Sequence, residues 1–498
     1  RVRGVSTSVA SSTLNVTANN TDVFTLSFTA VNPISLTKAT TSERLGSFLN
    51  SSNVVDVSIT YNNNGNPSAN AFLDFIEIIG KKQLLADSKQ FSFRSFNQAN
   101  SSGIVDFQIQ NANNIFQVWD VTNSINPENI SNENTTSGFS FKDNAGSLKE
   151  YIVLNENDFY IPKTIQNAKV VNQNLHGLKD INYIVITDSE LSGQAQRLAD
   201  YHQNNSNLTT KVVQLDEIYN EFSSGSKDIT GIRDFLKHVY ETNSSTEKKL
   251  KYVVPVKLSE SSFNLASSYV TDDFFVMLDD NEGNMLSSHT IDVASSRIPV
   301  STITQAQDVV DKILSYYSKQ SIGDWRNTIT LLADDIDEPG EEVLEQGVES
   351  IADEIKASKP ICNIDKIYSD AYVGERYPEV NKAITNAIEK GTLVFDYFGH
   401  GGEDGFASEK ILDKPQVQGF NNPNTLPLLI TVTCDFSRFD NPNRTTAGEL
   451  TLWNKSGGAA SMITTTREVF IFTGQRFNED LIRVLLEFND EDLTISES

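Results

Sequence analysis

Two residues able to act as a nucleophile and its base each follow a short strand-like run. His400 follows the apolar run at 392–398, and Cys434 follows a second run at 426–433. In an open α/β sheet, sites form outside the carboxyl ends of the strands. A free thiol has a pKa of about 8.5, so an adjacent imidazole that accepts its proton generates the reactive thiolate. The pair predicts acyl transfer through Cys434, with His400 as base and later as acid for the leaving amine.

The glycines around His400 predict how a substrate carbonyl is held. The sequence reads Gly399-His400-Gly401-Gly402, and glycines let a backbone approach a substrate closely. We predict that the N–H groups of Gly401 and Cys434 form an oxyanion hole for the developing negative charge.

Plainer interpretations exist for both residues. A lone cysteine at the end of an apolar strand is usually a small buried hydrophobe, and a lone histidine in a glycine-rich turn is usually structural. The chain has five histidines and two cysteines, and one of each falls at these two strand ends, which favours a functional pair. We predict that the other cysteine, Cys362, is structural.

The elements that must position this pair alternate along the second part of the chain, which predicts a largely parallel sheet covered by helices. The predicted strands are 181–187, 211–215, 328–333, 364–368, 392–398, 426–433 and 459–464. The predicted helices are 191–201, 228–240 with Asp228 as N-cap, 305–317, 341–357, 378–390 and 449–454.

Residues 1 to about 165 have a different pattern, rich in Asn, Ser and Thr, with short alternating runs and polar turns. Such a pattern predicts antiparallel β structure. The predicted strands are 23–28, 54–61, 91–93, 105–109 and 115–119. We therefore predict three regions: a β-rich N-terminal region at 1–165, a first α/β subdomain at 166–320, and a second α/β subdomain at 321–498 that carries the His–Cys pair.

Composition limits the other possibilities. The chain has 498 residues, enough for two or three domains, and its net charge of -26 argues against a nucleic-acid partner. No apolar run approaches the roughly twenty residues of a membrane-spanning helix. Two cysteines cannot form a disulfide framework. No signal peptide is visible at the start and no terminating motif at the end, so we expect a piece of a longer protein.

Acidic runs suggest metal ligands, but only weakly. Residues 278–284 lack the spacing of a calcium loop. Residues 334–338 follow a predicted strand and offer carboxylates, although an acidic loop on an acidic protein is more often simply solvated. The sequence assigns no metal and no cofactor, and no phosphate-binding loop, dinucleotide fingerprint or H-E-x-x-H motif is present.

The sequence around the pair resembles the gingipain-type cysteine peptidases, which have a caspase-like fold. The resemblance lies in Asp396-Tyr-Phe-Gly-His-Gly-Gly and Thr431-Val-Thr-Cys-Asp. Further segments resemble the PorU-type sortases of the type IX secretion system within that family. They are Phe439-Asp-Asn-Pro, Thr445-Thr-Ala-Gly-Glu-Leu, Leu452-Trp-Asn-Lys-Ser-Gly-Gly-Ala and Thr464-Thr-Thr-Arg. The resemblance extends from about residue 72 to the C-terminus.

The resemblance implies a fold and a function. The expected fold is a caspase-like α/β catalytic domain of two α/β subdomains, preceded by an all-β region. Asp272 and Asp273 lie near the position where gingipains place a specificity acid, so the resemblance implies a role in a substrate pocket. The implied partners are a PorV-like outer-membrane β-barrel protein, the C-terminal signal domains of secreted cargo, and lipopolysaccharide or another surface glycolipid as acceptor. The implied location is the bacterial cell surface.

One segment departs from the family pattern. After Tyr252, such enzymes usually continue a strand into a Gly-Asp-x-Ser-Tyr-Asp-like loop, whereas this chain continues with Val253-Val-Pro-Val. We expect a chain interruption at Tyr252–Val253 or Val253–Val254, with Cα atoms farther apart than the roughly 3.8 Å of a trans peptide. The alternative is a true deletion of the loop. The lost segment is one source of an acid that orients His400, and the sequence assigns no such residue.

The interpretation with most support is a sortase-like cysteine peptidase that removes the C-terminal signal domain of its cargo. Two alternatives remain. The first is a secreted endopeptidase of the gingipain type, and the second is a non-enzymatic β-rich surface scaffold with an inactive caspase-like domain.

Overall fold

The chain forms two compact units, residues Arg1–Val171 and Asn172–Ser498. The computed structural model describes residues 1–32, 39–51, 54–86, 89–134, 138–161, 163, 169–256, 271–283, 289–372, 378–441 and 444–486.

Among its described residues, the first unit is built from antiparallel strands, one short α-helix and a single 3-10 turn. The strands are β1 Val2–Ser6, β2 Ser12–Ala18, β3 Thr21–Phe28, β4 Thr40–Arg44, β5 Val57–Asn62, β6 Ala71–Ile76, β7 Phe91–Arg94, β8 Ile104–Ile109, β9 Ile115–Asp120, β10 Glu128–Ile130, β11 Phe139–Asn144 and β12 Glu150–Asn155. The helix is α1 Phe96–Ala99.

Four small sheets arise from these strands, in the orders β4-β1-β6, β3-β2-β5, β10-β9-β12-β7 and β11-β8. In β2, buried residues alternate with partly exposed ones, as expected for a strand with one face on a core. Two apolar clusters fill the unit, one around Leu26 and one around Phe141. The all-β N-terminal region that the sequence predicts is confirmed.

The second unit alternates strands and helices. Its strands are β13 Tyr183–Thr187, β14 Thr210–Gln214, β15 Tyr252–Val256, β16 Ala294–Ser295, β17 Thr328–Ala333, β18 Asn363–Tyr368, β19 Val394–Phe398, β20 Gly401–Gly402, β21 Gly405–Phe406, β22 Leu412–Asp413, β23 Leu428–Val432 and β24 Ser461–Ile463. Its helices are α2 Ser192–Asn205, α3 Leu215–Phe222, α4 Ile229–Glu241, α5 Asp273–Val276, α6 Ile303–Tyr316, α7 Glu342–Ser358, α8 Pro378–Lys390, α9 Lys414–Gly419, α10 Ala447–Trp453 and α11 Ile471–Leu486.

These strands form two parallel sheets, in the orders β14-β13-β15-β16 and β18-β17-β19-β23-β24. Every residue of β13, β19 and β23 is buried, because helices cover both faces of each sheet. The predicted fold class, two α/β subdomains behind an all-β region, is confirmed. Within it, β17 and α8 have the bounds that the sequence predicts.

Local capping explains where several helices begin. The Asp228 side chain accepts a hydrogen bond from the Thr230 N–H at the start of α4, which confirms the predicted N-cap. At the start of α10, Thr446 and Glu449 form a capping box, in which each side chain accepts from the backbone N–H of the other.

A buried lysine joins α6 to the end of α10. Lys312 on α6 is 5% exposed, and its ammonium donates to the carbonyl oxygens of Thr451 at 3.2 Å, Leu452 at 2.5 Å, Asn454 at 3.3 Å and Gly457 at 3.1 Å. These carbonyls lie at and just beyond the end of α10, where a helix leaves its last acceptors unpaired. Burial lowers the pKa of Lys312 to about 7, and the charge of Asp308 opposes this shift.

The expected interruption near Tyr252 is wrong. Strand β15 runs unbroken from Tyr252 to Val256, and its consecutive residues pair with consecutive residues of β13, from Tyr183–Tyr252 to Thr187–Val256. The β-branched run fills a central strand position by itself, so nothing needs to be inserted there. The stretch that follows, 257–270, lies outside the described residues.

Within the part of the chain that the structure describes, no helix is both long and apolar enough to cross a bilayer.

Candidate active site

Register brings His400 and Cys434 opposite each other. Strands β19 and β23 are parallel neighbours, with Phe398 paired to Val432, so each of the two residues lies two positions beyond the last pair. The Gly399 N–H donates to the Val432 carbonyl at 3.3 Å, which extends the pairing past the end of β19. Neighbouring strands lie about 4.8 Å apart. The predicted adjacency of the two strands is confirmed, whereas the catalytic roles of the two side chains stay a prediction.

A carboxylate fixes the imidazole of His400. The ring Nε2 lies 2.9 Å from Glu341 Oε1, and Glu341 is 8% exposed. Burial of the ring is the largest influence and lowers the pKa of His400. The hydrogen bond that the ring donates to Glu341 and the charges of the nearby carboxylates together outweigh burial, so the pKa of His400 is raised above its ordinary value. The contact leaves Nδ1 as the nitrogen available to a thiol.

Glu341 is itself held in place. Its Oε2 accepts the backbone N–H groups of Asp337 and Glu338, each at 2.9 Å. Burial raises the pKa of Glu341, but these amides and the His400 ring outweigh it and lower the pKa below the usual range. Glu341 therefore remains ionised and favours the protonated form of the His400 ring.

The backbone of His400 rests on a buried acid. Asp334 is 2% exposed, and its Oδ2 accepts the His400 N–H at 2.8 Å. The Tyr397 hydroxyl bridges Asp334 Oδ2 at 3.1 Å and the His400 carbonyl oxygen at 2.6 Å. A Cβ on Gly399 would lie 2.4 Å from Asp334 Cβ, so this close packing requires glycine. Burial raises the pKa of Asp334 to about 7.

The thiol of Cys434 lies against the chain that follows β24. Its Sγ accepts the Val469 N–H at 3.4 Å and lies 3.8 Å from the Val469 carbonyl oxygen. Burial is the main cause that raises the pKa of Cys434, and the charges of Asp435 and Glu468 add to it. The resting thiol is therefore protonated at neutral pH.

The turn after Cys434 is sharp and braced. Asp435 has a φ of +51°, a left-handed conformation that is uncommon for residues other than glycine. The Asp435 N–H donates to the Arg467 carbonyl at 3.2 Å, and the Arg467 guanidinium donates to both oxygens of Asp440 at 2.9 and 2.7 Å. The segment after β24 thus holds both the sulfur and the turn that presents it.

Gly401 packs against the strand that carries Cys434. A Cβ at this position would lie 2.6 Å from Thr433 Oγ1 and 2.8 Å from the Gly405 carbonyl oxygen. The Ala407 N–H donates to the His400 carbonyl at 2.8 Å, so the next pair of the hairpin, Gly401–Phe406, is a non-hydrogen-bonded pair. The Gly401 N–H therefore points away from its hairpin partner, and its role as an oxyanion donor stays a prediction.

Comparison with known proteins places this arrangement in a family. The model of Peptidase family C25 matches residues 176–497, which is more than half of the chain and includes His400, Cys434 and Glu341. The chain belongs to peptidase family C25. The family indicates cysteine peptidase activity, and the predicted resemblance to gingipain-type peptidases is confirmed.

Two solved structures have a fold similar to that of this chain. Gingipain R, an Arg-specific cysteine proteinase, is similar with a TM-score of 0.51 and 18% identity, over 66% of this chain and 71% of that chain. Dimeric latent PorU from Porphyromonas gingivalis is similar with a TM-score of 0.53 and 21% identity, over 65% of this chain and 34% of that chain. The matched part is thus about a third of the PorU chain. No curated protein matches the chain significantly.

The sequence did not identify Glu341 as the partner of the C25 histidine. The sequence assigned no such acid and left a lost segment near Tyr252 as one source. The acid in contact with the ring is instead the N-cap residue of α7, just after the loop that leaves β17. Because β17 is the neighbour of β19, its loop opens at the same edge of the sheet as His400. The acidic run that follows β17 was the sequence signal that could have indicated Glu341, but an acidic loop is usually solvated.

The structure shows which residues and elements surround Asp272 and Asp273, the two acids predicted to line a substrate pocket. Asp272 accepts two hydrogen bonds from Arg297, one of them at 2.9 Å between Nε and Oδ2, and both side chains are mostly buried. The Arg297 guanidinium lies 4.8 Å from the ring centroid of Phe439, in the loop after Cys434. Asp273 begins α5. A substrate-pocket role for the two acids stays a prediction.

Proposed function

We propose that this C25 chain is a sortase-like cysteine peptidase of the type IX secretion system. It removes the C-terminal signal domain from secreted cargo and transfers the cargo to a cell-surface glycolipid or to water. The observation that carries the proposal is the position of His400, oriented by Glu341 and opposite Cys434 at the ends of two adjacent parallel strands.

The proposed reaction begins with proton transfer from the Cys434 thiol to Nδ1 of His400. The sulfur attacks the carbonyl carbon of the scissile peptide bond, and the tetrahedral oxyanion accepts N–H donation from Gly401 and Cys434. The intermediate collapses with cleavage of the C–N bond, and His400 gives its proton to the leaving amine. Glu341 stabilises the imidazolium between these two proton transfers, as a positioning residue.

A thioester then joins the cargo to Cys434. An amine of the glycolipid acceptor, or water, attacks its carbonyl carbon and gives a proton to His400. The C–S bond breaks, and the proton returns to the sulfur. The free enzyme is regenerated, and the cargo carries a new amide bond or a free carboxylate.

Two observations favour the sortase over a generic endopeptidase. Arg467 and Asp440 come from two separate segments with sequences similar to PorU-type sortases, and their ion pair braces the turn that presents Cys434. Asp272, the acid that the family resemblance associates with specificity, is already paired with Arg297 and so offers no uncompensated charge to an arginine of a substrate.

The partners and location follow from the proposed role. A sortase of this kind acts on exported cargo, so we place the chain at the bacterial cell surface, attached to the outer membrane through a PorV-like β-barrel protein. Lipopolysaccharide or a related glycolipid is the proposed acceptor.

The test is the fate of cargo in a strain of the source bacterium that carries Cys434→Ala. Cargo should accumulate with its C-terminal signal domain attached, as measured by the intact mass of the released protein. His400→Ala should give the same result, and the double variant should be no worse, because residues that act as one unit are not additive. Normal cargo masses in the Cys434→Ala strain would reject the proposal.

The two alternatives give different results in the purified protein. A gingipain-type endopeptidase cleaves short generic peptides rapidly, including those with arginine before the scissile bond, whereas the proposed sortase cleaves them slowly. A scaffold with an inactive catalytic fold cleaves neither peptides nor cargo.

A further inference from the structure

Three carboxylates come together beside the loop that carries His400. Asp334 and Asp335 follow the end of β17, and Glu409 lies in the loop between β21 and β22. One oxygen from each of the three lies within 4.8 Å of the others. The three residues come from two separate segments, so the fold rather than the local sequence creates the cluster.

A second observation shows that the cluster is incomplete. Oδ2 of Asp334 accepts the His400 N–H and the Tyr397 hydroxyl, whereas Oδ1 is buried and has no hydrogen-bond partner among the described residues. Both donors to Oδ2 are neutral groups, so they do not balance the charge of the carboxylate. A buried carboxylate oxygen without a partner is unfavourable, and buried charges are ordinarily paired or bound to a metal. A cation at this oxygen would supply both the missing partner and the missing positive charge.

The chemistry of the cluster defines that ligand. The groups offered are carboxylate oxygens, which suit hard divalent cations, whereas zinc and copper prefer nitrogen and sulfur donors. Calcium accepts irregular oxygen cages and completes its shell with water, whereas magnesium demands near-octahedral geometry. Glu409 is partly exposed and also lines a groove of about 920 Å³ beside α8, so the cluster has one ligand at the surface.

We propose that Asp334, Asp335 and Glu409 bind a calcium ion. The ion joins the end of β17 to the loop that follows His400. Through the bond from the His400 N–H to Asp334 Oδ2, it also fixes the backbone of the catalytic loop. The ion stabilises and positions this loop and takes no part in the acyl transfer, so the proposal does not depend on the proposed function.

The test uses terbium, a luminescent substitute for calcium, added to the full chain after chelator treatment. Energy transfer from Tyr397, whose hydroxyl contacts Asp334, sensitises terbium at this position. The protein should show one saturable luminescent site, and calcium should displace terbium more effectively than magnesium does. Glu409→Gln and Asp335→Asn should each weaken binding more than about tenfold, because calcium affinity depends on the number of charged ligands.

A matched control removes one charge elsewhere. Asp353 is exposed on α7, so Asp353→Asn should leave terbium affinity unchanged. Cys434→Ala should also bind normally, so a failure of the peptidase assay and a failure of the site are distinguishable. The absence of saturable luminescence would overturn the proposal and indicate that the carboxylates share protons instead. Equal terbium affinity in Glu409→Gln and the native protein would overturn it as well.

Discussion

Replacing Glu341 by glutamine tests how His400 is prepared as a base. In the native protein, Oε2 of Glu341 accepts the N–H groups of Asp337 and Glu338, and Oε1 contacts Nε2 of His400. Glutamine has only one oxygen, and the two amides require it. Its NH₂ group therefore faces the ring and needs an acceptor at Nε2. The ring proton then moves to Nδ1, the nitrogen that has to accept the proton of Cys434.

The expected loss can be estimated from the lost contact. A hydrogen bond to a charged group contributes about 1.5–3 kcal/mol. The His400 side chain is 42% exposed, so solvent screens part of the interaction, and the lower part of that range, about 1.5–2 kcal/mol, applies. At about 1.36 kcal/mol per factor of ten, acylation of Cys434 slows roughly 10- to 30-fold. The change of tautomer adds to this loss.

The assay is the burst of p-nitrophenol released when an activated ester acylates the thiol, with Cys434→Ala as the blank. The neighbouring variant Glu342→Gln is the control, because Glu342 is exposed on the first turn of α7. In the native protein, the rate falls on acidification as His400, whose pKa is raised, becomes protonated. In Glu341→Gln, burial lowers that pKa, so the fall moves to lower pH. A native rate with an unchanged acid limb would refute the positioning role.

Three further predictions concern the surroundings of the site. Gly401→Ala should abolish acylation, because its Cβ would lie 2.6 Å from Thr433 Oγ1, whereas Gly402→Ala, with open space around the added Cβ, should retain native burst rates. Lys312→Met should destabilise the fold by about 2–4 kcal/mol, seen as a lower urea midpoint, because four carbonyls lose their donor. Burial raises the pKa of Asp396 to about 7, so its contribution to stability is full below about pH 4 and is lost as the pH rises from there through 7; the melting temperature of Asp396→Asn relative to the native protein should therefore rise from pH 4 to pH 8, and an equal pH dependence of the two proteins would contradict this.

Much of the fold is predictable because its signals are local. The run at 328–333 is apolar and β-branched, and β17 has those bounds, while Asp228 marks the start of α4 through its own side chain. The strands β20 to β22 were not predicted, since each has two residues and depends on the hairpin around Gly405.

The candidate site also contains residues that the sequence predicts and residues that it does not. His400 and Cys434 are visible in the sequence because each follows a strand, and the parallel register then brings them together. Glu341 and the Asp334 cluster depend on which strand lies beside β19, a long-range property that no local pattern encodes. The ion pair between Asp272 and Arg297 likewise depends on the fold and is not encoded by a local sequence pattern.

Reaction of the two cysteines with iodoacetamide tests the central claim, that His400 activates Cys434, most directly. The chain carries its own control, because Cys362 is the other free thiol and is also partly exposed. Peptide mapping by mass spectrometry should show faster labelling of Cys434 than of Cys362. In His400→Ala, labelling of Cys434 should fall while that of Cys362 stays the same. Equal labelling of Cys434 in the native protein and in His400→Ala would contradict the account.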